Sequence, residues 1–190
     1  ALAAIGTVAD VVPLLDENRV LVEHGLKTLR AQPLPGLAEL MKITKIDQAS
    51  SVTSDSIAFT IAPRLNAAGR LGQAQLAVEL LTTPGGERAE ALAEYIHQLN
   101  NDRDTLQRSV NLAAQKQAKE EFDVEADAAL VLAGVGWHPG VIGVVAGRMA
   151  EKHAKPVLIL SMDATGKTQA VGSGRVGGTG IDLHAALSEC

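Results

Sequence analysis

The sequence predicts an α/β chain in three consecutive parts: a helix-rich stretch over residues 1–86, one long helix over 87–122, and a smaller α/β part over 123–190 that contains a βαβ unit. Three observations carry this expectation. Up to residue 86, short apolar-periodic runs alternate with Pro and Gly. From Glu87 to Phe122 neither Gly nor Pro occurs. Beyond Glu125, two short apolar runs rich in Val, Ile and Leu flank a helical pattern.

In the first part a helix is expected after Asn18, where Leu21, Leu26 and Leu29 recur at three- to five-residue spacing. Pro33, Pro35 and Gly36 interrupt it, and Leu37, Leu40 and Met41 restart it. Ser54 is suited to cap a run over residues 56–62, which Pro63 is expected to stop. No strand signal is strong here. The second part is dominated by good helix formers, with Leu92, Ile96, Leu99, Leu106 and Val110 at intervals of three, four or seven. A helix of ~36 residues spans on the order of 50 Å, more than a small domain needs, and such a helix usually bridges two bodies.

In the third part, residues 128–133 and 156–160 are expected to be parallel strands joined through a helix over 140–153 by a right-handed crossover. Gly140, Gly143 and Gly147 fall on one face of that helix, where small residues let the backbone approach the sheet. A third extended piece over 168–172 runs into Gly172-Ser173-Gly174-Arg175, and residues 181–187 form a last helix.

Hydrophobic residues make up 46% of the 190, enough to build cores, and only four residues are aromatic, so Ala, Val, Leu and Ile must fill them. A formal net charge of −5 argues against a general electrostatic grip on a polyanion, so any nucleic-acid site must be a local cluster of Arg and Lys. The single cysteine, Cys190, offers neither a disulfide partner nor a thiolate cluster. No apolar run reaches the roughly 18 to 20 residues that span a bilayer, and the expected location is the cytoplasm, with no membrane partner.

Four segments carry candidate chemistry. In Gly6-Thr7-Val8-Ala9-Asp10-Val11-Val12-Pro13-Leu14, Asp10 is either a cap or turn residue or a metal ligand, and one carboxylate cannot hold a divalent ion alone. In Pro63-Arg64-Leu65-Asn66-Ala67-Ala68-Gly69-Arg70-Leu71, two guanidinium groups lie six residues apart; they belong either to a solvated loop or to a phosphate site, where Arg makes a bidentate contact. Gly136-Trp137-His138-Pro139-Gly140 opens the βαβ helix, where N–H groups and the helix dipole favour an anion, although a lone His in a loop is often structural. Gly172-Ser173-Gly174-Arg175, followed by Gly177, Gly178 and Gly180, is either a glycine-rich turn or a concave backbone nest for phosphate.

Taken in order, these segments resemble the RecJ family of the DHH phosphoesterase superfamily. The match runs along most of the chain and includes Trp137-His138-Pro139-Gly140-Val141-Ile142-Gly143 and Asp182-Leu183-His184-Ala185-Ala186-Leu187. The resemblance implies that residues 1–86 are the helix-rich end of a DHH catalytic domain, 87–122 a connecting helix, and 123–190 a DHH-associated domain that binds phosphate or nucleic acid. It implies a metal-dependent 5′-to-3′ exonuclease of single-stranded DNA, acting in repair and recombination.

By the same resemblance, Asp10 matches a carboxylate ligand of a two-metal Mn²⁺ or Mg²⁺ site, and the family's Asp-rich and Asp-His-His motifs do not occur in this sequence. Arg70, Ser173 and Arg175 match positions that hold the substrate's phosphates, with the connecting helix near Asn101 lining the strand's path. From the motifs themselves, Arg64, Asn66, His138, Gly172 and Gly174 are further candidate substrate contacts. The chain departs from the family pattern at Asn101, where Gln is usual, and at Val176, where Ser is usual. Two alternatives stand beside this reading: a DHH phosphoesterase of oligonucleotides, cyclic dinucleotides or pyrophosphate, and a non-catalytic nucleic-acid-binding scaffold. The long connecting helix favours the first reading over the smaller phosphoesterases, and Asp10 argues against the scaffold.

Overall fold

The computed structural model describes residues 1–46, 52–165 and 169–189. Thr168, where the third extended piece was expected to begin, and Cys190 lie outside these. The chain divides into two compact units, Ala1–Asp102 and Arg103–Cys190.

The first unit is helical. Helices α1 (Leu2–Ala9), α2 (Asp16–Ala31) and α3 (Pro35–Ile43) are followed by a continuous run made of α4 (Ser54–Ser56), a π-helical stretch (Ile57–Ile61) and α5 (Ala62–Arg70), and then by α6 (Ala74–Thr82). Helix α7 (Glu87–Glu121) starts in this unit and runs without a break into the sequence of the second. The core gathers Ile5, Leu29, Leu37, Leu40, Ile57, Ile61, Leu80 and Ile96, all almost wholly buried. Helices α1 and α2 pack closely because Gly25 has no side chain: a Cβ there would overlap that of Ala4.

In the first unit, the start of the chain and the run around Pro63 differ from expectation. Helix α1 has no capping side chain and carries Gly6, which hid it from a reading based on caps and periodicity. Pro63 does not stop a helix. It lies in the first turn of α5, and the π-helical stretch before it absorbs one extra residue, with the Ala62 N–H donating to the Ile57 carbonyl. The start of the run is capped reciprocally, because the Thr53 and Ser56 side chains each accept from the other's backbone N–H.

In the second unit the sheet order is β1-β2-β3, with β1 (Leu130–Val135), β2 (Val157–Met162) and β3 (Val171–Arg175). Strands β1 and β2 pair in parallel, Leu130 opposite Val157, and are joined through α8 (Pro139–His153). Helix α8 buries Val141, Ile142, Val145, Ala146 and Met149 against Leu130, Leu132, Val157 and Ile159, with Val110, Ala114 and Ala118 of α7 in the same cluster. Strand β3 runs antiparallel to β2, and a short helix, α9 (Leu183–Ser188), follows. The chain is thus helix-rich with a small three-stranded sheet. Among the described residues, no helix is long and apolar enough to cross a membrane.

Candidate functional site

Asp10 follows the last residue of α1 and donates its backbone N–H to the Gly6 carbonyl at 3.0 Å. The next two N–H groups close the helix: Val11 donates to Val8 at 3.1 Å and Val12 to Thr7 at 3.3 Å, which is the Schellman pattern. That pattern needs a left-handed residue, and here it is Val11, at φ 57°. The effect is to present the Asp10 side chain in solvent at the helix end, rather than inside the apolar layer its sequence neighbours suggest. A carboxylate here meets the negative end of the helix dipole, an arrangement that a nearby cation would relieve.

One cation and one polar side chain arrive from α5. A cavity of about 570 Å³ is lined by Gly6 and Asp10 of the α1 end, by Asn66, Gly69 and Arg70 of α5, and by Ala74 of α6. Asn66 and Arg70 share a face because they are four residues apart on a helix. Arg64 does not line this cavity. Its Nε donates to His97 Nδ1 at 3.0 Å and its Nη1 to the Thr60 carbonyl at 2.7 Å.

The second unit contributes a separate cluster. Arg175 Nη1 donates to Ser173 Oγ at 3.1 Å and to the Gly174 carbonyl at 2.7 Å. Because Ser173 Oγ accepts from the guanidinium, its own hydroxyl proton is left to donate, as are Nε and Nη2 of Arg175. Both side chains lie over α8 at Gly143, where a Cβ would stand 3.0 Å from Ser173 Oγ and 3.4 Å from Arg175 Nη2. The expected backbone nest is not formed by residues 172–175, which are a β-strand paired with β2. The left-handed glycines of this motif are Gly177, Gly178 and Gly180, beyond the strand. Gly172 and Gly174 serve packing instead, since a Cβ would overlap Leu160 or Leu183 respectively.

His138 caps α8: its Nδ1 accepts from the Gly140 N–H at 3.0 Å, so in the neutral ring the proton sits on Nε2. Asn101 is exposed on α7 beside the buried Asn100. The structure therefore brings Asp10, Asn66 and Arg70 together, and separately Ser173 and Arg175, while Arg64 and His138 are bonded within the fold. Sequence reasoning missed His97 as the partner of Arg64, and no local signal announces a contact across 33 positions.

Among the described residues no three His, Cys, Asp or Glu side chains gather as a metal site. Mg²⁺ and Mn²⁺ take about six oxygen ligands, so the single carboxylate of Asp10 does not hold such an ion by itself.

No protein-family model matches the chain. It is 40% identical over 190 residues to the single-stranded-DNA-specific exonuclease RecJ of Bacillus subtilis, which covers all of this chain and 23% of that protein. It is 41% identical over 162 residues to the RecJ of Thermus thermophilus, covering 84% of this chain and 23% of the relative. The likeness extends to three dimensions, with a TM-score of 0.83 at 38% identity to a crystal structure of exonuclease RecJ bound to manganese, covering 98% of this chain and 44% of that one. The chain is a segment of the RecJ family. A second RecJ structure, from Thermus thermophilus in complex with Mg²⁺, gives a TM-score of 0.81 at 36% identity, covering 98% of this chain and 28% of that one. The segment thus spans about a quarter of the length of the curated RecJ relatives named here.

Proposed function

We propose that this RecJ segment belongs to a metal-dependent exonuclease that hydrolyses single-stranded DNA from the 5′ end in repair and recombination, in the cytoplasm. In this reading residues 1–86 close a DHH catalytic domain, 87–122 connect, and 123–190 belong to a DHH-associated domain that grips the strand. Asp10 supplies one carboxylate to a cation site whose other ligands lie outside these 190 residues.

The observation that carries the proposal is the cavity that sets Asp10 opposite Asn66 and Arg70. A carboxylate at the negative end of a helix beside a guanidinium suits a phosphodiester that bridges a bound cation and an arginine fork. Arg70 binds a phosphate oxygen in two-pronged fashion, and Asn66 donates its amide to the same group. Ser173 and Arg175 offer a second set of donors, which selects an anion and holds a phosphate of the strand. RecJ likeness along the whole chain supports single-stranded DNA as the substrate.

The test is anisotropy of a labelled 5′-phosphorylated single strand on the intact protein made hydrolysis-dead by Asp10→Asn. Arg175→Ala removes a charge-assisted contact of about 1.5 to 3 kcal/mol, so affinity should fall roughly 10- to 100-fold, with a shallower dependence on salt as fewer counterions are released. Arg70→Ala should behave alike. An unchanged affinity and slope for both would leave these arginines as structural residues only.

A further inference from the structure

Arg64 and Arg70 lie in one motif and are chemically identical, yet the fold separates their tasks. With about 100° per residue around a helix, Asn66 and Arg70 stand roughly 200° and 240° from Arg64 on α5. Ala67 and Ala68, at roughly 300° and 40°, flank the direction of Arg64, and both are fully buried. Arg64 therefore projects on the packed side of α5, and the cavity residues project from the other side.

On that packed side the guanidinium makes two bonds in different directions. One reaches the Thr60 carbonyl within the π-helical stretch, where regular α-helical pairing is interrupted ahead of Pro63. The other reaches His97 on α7, which must present an unprotonated Nδ1 to accept it. A planar fork with Nε and Nη donors in fixed relation meets both acceptors at once, whereas an ammonium has no such geometry.

We propose that Arg64 is a positioning residue for the phosphate-binding face of α5: by tying the π-helical turn to His97 it sets the rotation of the helix that carries Asn66 and Arg70 towards Asp10. The proposal rests on the substrate reading above for its binding readout. It assigns Arg64 no contact with the strand.

The experiment compares Arg64→Lys, Arg64→Ala, His97→Leu and His97→Asn in the intact Asp10→Asn protein, measuring single-strand affinity against salt and hydrogen exchange of the α5 amides. Arg64→Lys, Arg64→Ala and His97→Leu should each weaken binding about tenfold with the salt slope unchanged, because no phosphate contact is lost. His97→Asn, which keeps a carbonyl acceptor where Nδ1 stands, should restore affinity to within about twofold of the parent, as judged from the geometry of the two side chains. Exchange over α5 should quicken in the first three variants and not in the fourth. The proposal is overturned if Arg64→Lys binds as the parent does while Arg64→Ala loses about one phosphate's worth of salt slope, the signature of direct contact. If Arg70→Ala leaves binding untouched, the substrate reading fails on its own, and the exchange data still decide the role of Arg64: equal exchange in all variants would sink it.

Discussion

At the scale of single residues, Val11 holds the least comfortable backbone near the cavity. A β-branched residue at φ 57° is rare, and a left-handed non-glycine conformation costs about 1 to 3 kcal/mol. Its side chain is 86% exposed in this chain, so packing here offsets little of that. Replacing it with Gly, the residue that ordinarily closes a Schellman turn, should stabilise the 190-residue chain by about 1 kcal/mol and raise its melting temperature by roughly 2 to 4 °C. Thermal unfolding followed by circular dichroism measures this, and a lower melting temperature would refute the strain argument. The same scale shows what a motif leaves open. Arg64 and Arg70 differ only by position, about one and two-thirds turns apart on one helix. Arg70 lines the cavity, and Arg64 bonds to His97, far along the chain.

At the scale of elements, Gly143 ties stability to binding in opposite directions. Alanine is the better helix former by about 1 kcal/mol, and nothing in α8 itself forbids it. Its Cβ would press on Ser173 Oγ at 3.0 Å and on Arg175 Nη2 at 3.4 Å, so that the pair must shift by a few tenths of an ångström. Gly143→Ala should therefore leave the melting temperature equal or higher while weakening single-strand binding several-fold in the intact protein, since a charge-assisted hydrogen bond depends on placement. Equal affinity would mean that the Ser173 and Arg175 cluster is not a grip. The elements themselves were legible to different degrees. Helix α7 follows from the absence of Gly and Pro, and the parallel β1 and β2 follow from two apolar runs around a helical one. The third strand was partly hidden because glycine-rich sequence suggests a turn; in the fold, methyl groups of Leu160 and Leu183 stand 2.6 Å from where a Cβ of Gly172 or Gly174 would lie.

At the scale of the whole molecule, the 190-residue chain is expected to bind no divalent cation tightly. Calorimetric titration of the 190-residue chain with Mn²⁺ should show no stoichiometric micromolar site, because one carboxylate replaces too few of the six waters of a hard cation. Heat that saturates at one ion per chain and vanishes in Asp10→Asn would contradict this. With a net charge of −5, the DNA binding proposed for the intact protein would fall to local guanidinium groups rather than to the overall field. What the sequence determined by itself was the helix-rich class, the long α7, the parallel β1 and β2, and the identity of the chemical groups, since these depend on periodicity and breakers within a few neighbouring residues. Tertiary structure alone decided that Asp10 is held at an exposed, strained helix end, that Pro63 sits inside a helical run, that Arg64 faces inward while Arg70 faces the cavity, and that Ser173 and Arg175 rest on Gly143. The bond of Arg64 to His97 and the approach of Ser173 and Arg175 to Gly143 join residues far apart in the chain, which close packing settles and local pattern does not encode. The helix end at Asp10 and the run through Pro63 turn instead on backbone hydrogen bonds within five residues, whose choice periodicity does not show.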